Sequence, residues 1–131
     1  MERDWIVFDE PPRIRKDKSQ MMLNSRCELV INRIAHDAIG QPDSVFLLYS
    51  ERTDSIAITK ADPRLDNAFP VRRKHPNNFY SIHIKSFCDR HEIRYDGSVR
   101  FMDITVEDNK LVANLLKTHP VPKRKRRQTE R

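Results

Sequence analysis

Glycine and cysteine are scarce in this chain. Only Gly40 and Gly97 are glycine among 131 residues, which excludes glycine-rich phosphate cradles and dinucleotide fingerprints. The two cysteines, Cys27 and Cys88, are too few for a disulfide scaffold, so a reducing compartment is the default expectation. No run approaches the roughly 18 apolar residues of a membrane helix, and the charged start lacks a signal-peptide core. We therefore expect a cytoplasmic protein without a membrane partner.

The composition favours one compact core. Hydrophobic residues make up 37% of the chain and charged residues 34%. The apolar share is below the usual level of about 45–50%, yet it is too high for a wholly disordered chain. With 131 residues, the chain is long enough for one ordinary domain.

The net charge of +6 is concentrated at the C-terminus. Residues 119–131 carry +5, which leaves only +1 on the preceding 118 residues. Inside the body, the one basic excess is the +2 of residues 62–79, a proline-rich segment. The sequence therefore consists of a nearly neutral body followed by a strongly basic tail.

The first half of the body alternates short apolar strands with one helix. Leu29 and Ile31 share one face of a predicted strand at 28–34. Asn32 suits a helix N-cap, and Gly40 stands where a left-handed C-terminal cap is wanted. The other predicted features are a helical face of Ile34, Ala35, Ala38 and Ile39, a doubly buried strand Val45–Tyr49, a turn at 51–54 and a returning strand Ile56–Ile58.

The second half repeats this order of elements. Tyr80 and Ile82 share a strand face, and apolar positions at helical spacing follow. Asp108 and Asn109 suit the central positions of a tight hairpin turn. The other predicted features are a helical face of Ile84, Phe87, Cys88 and His91, a strand Val99–Val106 and a strand Leu111–Ala113.

The two halves correspond at nearly constant spacing. An offset of 51 relates Leu29 to Tyr80 and Ile31 to Ile82, and an offset of 55 relates the later strands. Units of this kind usually cannot bury their apolar faces alone, whereas two of them clasped about a pseudo-twofold axis can. The alternative is coincidence between short, common patterns. The later pairs are Phe46 with Phe101, Ile56 with Leu111 and Ile58 with Ala113.

Each half resembles the swapped-hairpin domain of the AbrB/MazE family, also called the SpoVT-AbrB family. That domain runs from an apolar strand through a short helix with a glycine-like stop to a β-hairpin. Glu92 stands where the second copy should have its glycine. The chain is also similar to a group of bacterial proteins of unknown activity that share the runs Leu29–Gly40, Leu47–Tyr49 and Pro70–Arg72. The matching segments are Leu29–Ile31, Ala35–Gly40, Val45–Tyr49 and Ile56–Ile58, then Tyr80–Ile82, Phe87–His91, Phe101–Ile104 and Leu111–Ala113.

The resemblance implies an α+β, mainly β fold in which tandem β-α-β-β units form a pseudo-twofold swapped-hairpin barrel within one chain. The predicted division has an extended N-terminal arm at 1–27, a barrel at 28–118 and a flexible basic tail at 119–131. Within the barrel, the halves cover 28–61 and 79–118, and a linker covers 62–78.

The resemblance also implies a DNA-binding transcriptional regulator or antitoxin-like protein, associated with the nucleoid if bacterial. In the family, basic residues on loops and N-terminal segments contact DNA, and Arg26, Arg33 and Lys85 match those places. Charge alone adds the linker and the tail as candidates. The linker candidates are Arg72, Arg73 and Lys74, and the tail candidates are Lys123, Arg124, Lys125, Arg126 and Arg127. The basic run in the tail could equally be a localisation signal or a solvated terminus.

The sequence gives little support to an enzyme, a cofactor or a metal site. His83, Cys88 and His91 are too few for a closed zinc site, which needs four ligands. His36 has no visible orienting partner for a cysteine nucleophile. The acidic residues also lack the spacing that would set two of them in one cleft.

A second hypothesis is a non-catalytic protein-interaction module. Trp5–Phe8 forms an apolar stretch in a polar setting, followed by prolines and charge. Such an arm could add to a sheet edge of a partner protein or of a second copy of the chain. The nearly neutral body is compatible with this alternative.

Overall fold

The protein is built mainly from antiparallel β-structure. A computed structural model of the chain describes residues 3–8, 18–74 and 78–121. Within these ranges the chain forms eleven short strands in two antiparallel sheets, together with two short helices. Neither helix of the described ranges has the length and apolar character needed to cross a bilayer.

The first sheet joins both halves of the sequence, chiefly through the five-residue pairing of β2 with β7. In this pair β2 runs antiparallel to β7, with Leu29 opposite Ile82 and Ile31 opposite Tyr80. The spatial order of the six strands is β11-β8-β1-β2-β7-β6. Their bounds are β1 Met21–Leu23, β2 Glu28–Asn32, β6 Arg72–Lys74, β7 Phe79–His83, β8 Val99–Phe101 and β11 Thr118–Pro120.

The second sheet places two β-hairpins side by side. The central pair is β4 with β10, in which Ile58 lies opposite Leu111 and Ile56 opposite Ala113. Each of these strands also pairs with its own hairpin partner, so the order is β5-β3-β4-β10-β9. The bounds are β3 Ser44–Ser50, β4 Ser55–Lys60, β5 Phe69–Pro70, β9 Ile104–Glu107 and β10 Lys110–Asn114.

One hydrophobic core contains residues of both sheets and both halves. Its buried side chains come from strands of both sheets and from the helices that follow β2 and β7. Burial of this apolar surface is the main stabilising contribution to the fold. The large side chains with no exposed surface include Met21, Leu29, Ile31, Ile58, Ile82 and Leu111.

The first helix, α1 Arg33–Ala38, begins and ends as predicted but buries a different face. The Asn32 side chain accepts a hydrogen bond from the Ala35 amide at 3.0 Å, and Gly40 has a left-handed φ of +88°. Ala35, His36 and Ile39 are buried, whereas Ile34 and Ala38 are exposed. The predicted apolar face was therefore wrong in part, because a six-residue helix contacts the core through little more than one turn.

The second helix, α2 Lys85–His91, buries the predicted face and ends at an unusual cap. Ile84 and Cys88 are buried, and Phe87 and His91 are half-buried. Glu92 occupies the left-handed C-cap with φ +54° and ψ +41°. The sequence therefore has a glutamate at a position where glycine is conformationally favoured.

Three predicted boundaries need correction. The arm predicted at 1–27 includes β1, whose Met21 and Leu23 are buried against β2. The linker predicted at 62–78 contains β5 and β6, and β6 extends the first sheet beside β7. The tail predicted to start at residue 119 was wrong for its first two residues, because His119 and Pro120 belong to β11 and pair with β8.

The predicted strand Val99–Val106 is two strands in different sheets. It is interrupted at Met102 and Asp103, so that β8 lies in the first sheet and β9 in the second. Phe101 therefore lies in a different sheet from Phe46, and their predicted correspondence was wrong. The prediction that Val45–Tyr49 is buried on both faces was also wrong, because only Val45 of these residues is fully buried.

Replacing Glu92 by glycine should stabilise the protein. The left-handed conformation costs an ordinary L-residue about 1 kcal/mol, a cost that glycine avoids. We expect Glu92→Gly to raise the free energy of unfolding in urea by about that amount. Glu107→Gly is the matched control and should lower it, because Glu107 lies in β9 with an extended backbone. A destabilised Glu92→Gly variant would contradict the cap assignment.

Candidate nucleic-acid interface

Three exposed arginines lie at or near the edge strand β6. Arg72 and Arg73 are exposed on this strand, and Arg33 is exposed at the first position of α1. Successive residues of a strand point to opposite faces, so the side chains of Arg72 and Arg73 leave the edge in different directions. Among the described residues, no carboxylate lies within ion-pair distance of Arg72, Arg73 or Arg26.

Arg33 and Arg73 face one polar depression of about 470 Å³. We call it the α1 depression, since it lies between α1 and the start of β7. The Arg73 Nη2 atom donates a hydrogen bond to Asn78 Oδ1 at 2.7 Å, and Arg33 lies 3.8 Å from Asp37. Asp37 therefore partly neutralises Arg33, whereas Arg73 keeps its full charge, and both arginines remain exposed. The other lining residues are His36, Gln41, Asp43 and Tyr80.

The floor of the α1 depression is a stacked pair of rings. The His36 and Tyr80 rings lie 3.7 Å apart at an angle of 14°. His36 Nε2 lies 2.8 Å from the Pro42 carbonyl oxygen, which can only accept, so Nε2 carries a hydrogen. The buried Nδ1 atom has no hydrogen-bond partner in the described part of the chain. This stack fixes α1 against β7 and thus sets where Arg33 lies relative to Arg73.

Lys74 is held by a buried carboxylate and is a poor candidate for phosphate binding. Its Nζ atom donates to Glu28 Oε1 at 2.8 Å, and Asn24 Nδ2 donates to the same oxygen at 2.8 Å. His83 Nε2 lies 3.5 Å from Glu28 Oε2. The Glu28 side chain is buried, so the loss of any of these partners would leave a charge poorly compensated.

This network lowers the pKa of Glu28. Burial alone raises the pKa, but the hydrogen bonds from Lys74 and Asn24 and the positive charges of Lys74 and His83 outweigh it. The pKa of the folded state therefore lies below the ordinary 4.5. The carboxylate remains ionised at neutral pH and holds Lys74 in place.

The remaining predicted residues do not join the cluster at β6. Arg26 is exposed in the turn between β1 and β2, at the other end of the β2–β7 pair. Lys85 starts α2 at that same end and forms an ion pair with Asp89 at 3.3 Å. Lys123, Arg124, Lys125, Arg126 and Arg127 lie outside the described residues.

A second depression, of about 680 Å³, lies at the α2 end of the β2–β7 pair. We call it the α2 depression. The turn between β1 and β2 forms one side, and α2 with the segment after it forms the other. Cys27, Asp89, Arg94 and Tyr95 are among its lining residues. The two depressions thus occupy equivalent places, each between a helix and the turn that leads into the opposing strand.

The histidines and cysteines considered for metal binding lie apart. His83 is exposed beside Glu28, Cys88 is in the core, and His91 stacks on Tyr49 at 4.3 Å. Within residues 3–8, 18–74 and 78–121, no three metal-ligating side chains are grouped around a common point.

Sequence reasoning missed the contacts that organise the α1 depression. Tyr80 was assigned to the core face of a strand, and no local pattern pairs it with His36, which is 44 residues away. Glu28 and Lys74 are 46 residues apart, and only the paired strands bring them together. The only sequence signal for the contact with Lys74 was the acidic residue Glu28 at the start of the otherwise apolar strand β2.

Comparison with known proteins identifies no relative. No protein family, no curated protein sequence and no solved structure matches the chain.

Replacing Glu28 should destabilise the protein in a pH-dependent way. At neutral pH, Glu28→Gln should lower the free energy of unfolding by about 2 kcal/mol, the usual loss for a hydrogen bond to a charged group. The folded pKa lies below the unfolded one, so this contribution is complete above pH 4.5 and is lost as the pH falls through the folded pKa.

Urea unfolding at a series of pH values measures this effect. The difference between the native protein and Glu28→Gln should shrink at acidic pH, and the exposed control Glu107→Gln should show little difference at any pH. An equal loss of stability at neutral and acidic pH would show that the ionised carboxylate is not the stabilising group.

Proposed function

We propose that the protein binds DNA through exposed arginines carried on a pseudo-twofold swapped-hairpin barrel made by one chain. The observation that carries this proposal is the placement of Arg72 and Arg73 on the edge strand β6, with Arg73 beside Arg33 and with no acidic partner for Arg72 or Arg73 among the described residues. Arginine forks match phosphate oxygens and can also reach guanine edges.

The strand registers support the pseudo-twofold arrangement. With Leu29 equivalent to Tyr80 and Ile31 to Ile82, a half-turn exchanges the pair Leu29–Ile82 with the pair Tyr80–Ile31. The same holds in the second sheet, where Ile56–Ala113 exchanges with Leu111–Ile58 under an offset of 55. Every antiparallel pair has such a local twofold axis, so the support comes from the choice of partners: in each sheet a strand of one half pairs with its predicted equivalent in the other half.

The helices repeat the same pattern of charges. Each starts with a basic residue that forms an ion pair one turn later, Arg33 with Asp37 and Lys85 with Asp89. Both helices follow a central strand of the first sheet, and both end before a left-handed residue, Gly40 in the first half and Glu92 in the second. The two halves therefore resemble each other in their surface charges as well as in their apolar pattern, which supports a duplication.

The charge distribution sets the expected binding mode. Because the body carries a net charge of only +1, long-range attraction to DNA must come mainly from the basic segment after residue 121. The arginines at β6 would then orient the body on the duplex. In this scheme Lys74 contributes to stability through Glu28 rather than to DNA binding.

The salt dependence of DNA binding tests the proposal. Fluorescence anisotropy of a labelled random duplex, titrated between about 50 and 200 mM salt, gives the slope of log K against log salt. Arg72→Ala combined with Arg73→Ala should reduce this slope by about 2, since each lost phosphate contact removes about 0.9.

Arg52→Ala combined with Arg64→Ala is the matched control. It removes the same charge from the turn between β3 and β4 and from the loop before β5, and it should leave the slope nearly unchanged. Deletion of residues 122–131 keeps β11 and should weaken binding without abolishing it. Absence of binding by the full chain at about 50 mM salt, or equal slopes for both double variants, would reject the proposal.

A second candidate function is self-association through the N-terminal arm. The exposed fractions of Trp5, Ile6, Val7 and Phe8 are 84%, 90%, 88% and 75%. Four consecutive apolar side chains in water are costly, and a short extended segment can add to the edge of a sheet. We propose that a second copy of the chain supplies that edge if the arm is an interaction element.

Trp5 provides a direct measurement, because it is the only tryptophan of the chain. Its emission should shift to shorter wavelength as protein concentration rises, in step with dimer formation in sedimentation velocity. Trp5→Phe combined with Phe8→Ser should abolish the dimer, whereas Leu116→Ser, which removes an apolar side chain as exposed as Phe8 from another part of the surface, should not. A monomer with water-exposed Trp5 emission at every concentration would exclude this function.

A further inference from the structure

The two cysteines of the chain are neighbours in the folded protein. The Cys27 carbonyl oxygen accepts a hydrogen bond from the Ile84 amide at 2.9 Å, and the Ile84 carbonyl oxygen accepts one from the Cys88 amide at 2.9 Å. Ile84 therefore connects the turn before β2 to the first turn of α2. The Cys27 thiol packs against the core beside Cys88 and interacts with its thiol.

Only one of the two thiols is accessible. Cys27 is half-buried and lines the α2 depression, so a small molecule can reach it from solvent. Cys88 is 1% exposed, and burial together with the neighbouring Cys27 raises the pKa of its thiol to about 12. Cys27 is thus placed to react first and Cys88 to react second.

The backbone at Cys27 adds to the case for a chemical role. Its φ is +60°, in the left-handed region where glycine is favoured and a β-carbon is disfavoured. Packing of the small side chain does not require cysteine at such a position. The proximity of Cys27 to the Cys88 thiol explains why a cysteine occupies this position.

We infer that Cys27 and Cys88 form an oxidation-sensitive dithiol, which hydrogen peroxide converts into a disulfide that links the turn between β1 and β2 to α2. This modification site lies in the α2 depression, away from the arginines at β6, and it does not depend on DNA binding.

The reaction has two balanced steps. The Cys27 sulfur attacks one peroxide oxygen, the O–O bond breaks, and the products are Cys27 sulfenic acid and water. The Cys88 sulfur then attacks the Cys27 sulfur, the S–O bond breaks, and the leaving hydroxide takes the Cys88 proton to form a second water. Two thiols are oxidised and one peroxide is reduced.

Mass spectrometry of the full chain treated with peroxide tests the inference. We expect the intact mass to fall by two hydrogens, both cysteines to become resistant to alkylation together, and a non-reduced digest to join their peptides. A thiol reductant should reverse all three changes. The disulfide closes a loop of roughly 60 residues, so the melting temperature should rise by about 5 °C or more.

Two variants separate the steps. In Cys88→Ala, Cys27 should accumulate as a sulfenic acid that dimedone traps. In Cys27→Gly, which suits the left-handed backbone, Cys88 should remain alkylatable after peroxide treatment and unfolding. Overoxidation of Cys27 in the native chain while Cys88 stays reduced, or disulfides formed only between chains, would overturn the inference.

Discussion

The pairing of β2 with β7 and of β4 with β10 is the interaction on which the rest of the structure depends. Each pair takes one strand from the first half of the chain and one from the second, and together they carry a large share of the buried apolar side chains. Each half therefore covers apolar side chains of the other. Because the pairs are antiparallel, they also place α1 and α2 at opposite ends of the first sheet, and the two depressions follow from that placement.

A buried carboxylate determines which basic residues remain available at the surface. Glu28 binds Lys74, so that Lys74 stabilises the edge of the first sheet instead of facing solvent as a free cation. Its neighbours on β6, Arg72 and Arg73, have no such partner among the described residues. Lys74 is paired and Arg72 and Arg73 are not because of where the fold places them, and not because of their residue types. Counting charges along the sequence could therefore not distinguish the three residues.

Features with local causes could be predicted, whereas features with distant causes could not. Asn32 and Gly40 act within one helix, and Asp108 and Asn109 adopt φ of +49° and +63° within one tight turn, so neighbouring residues suffice to identify them. In contrast, β1 and β6 contain only three residues each, and they become strands because β2 and β7 offer free edges. The stack of His36 on Tyr80 and the contact of Cys27 with Cys88 likewise require the tertiary fold.

The covalent connection between the two halves has a consequence for how such a molecule can diverge. In a homodimer every substitution appears twice, so both ends of the central strand pair must change together. Here the end near α1 carries a histidine–tyrosine stack, and the end near α2 carries a pair of thiols. A single polypeptide can specialise its ends independently, and under the proposed DNA-binding function a duplex lying across both ends would be recognised in one polarity, without the palindrome that an exact dimer imposes.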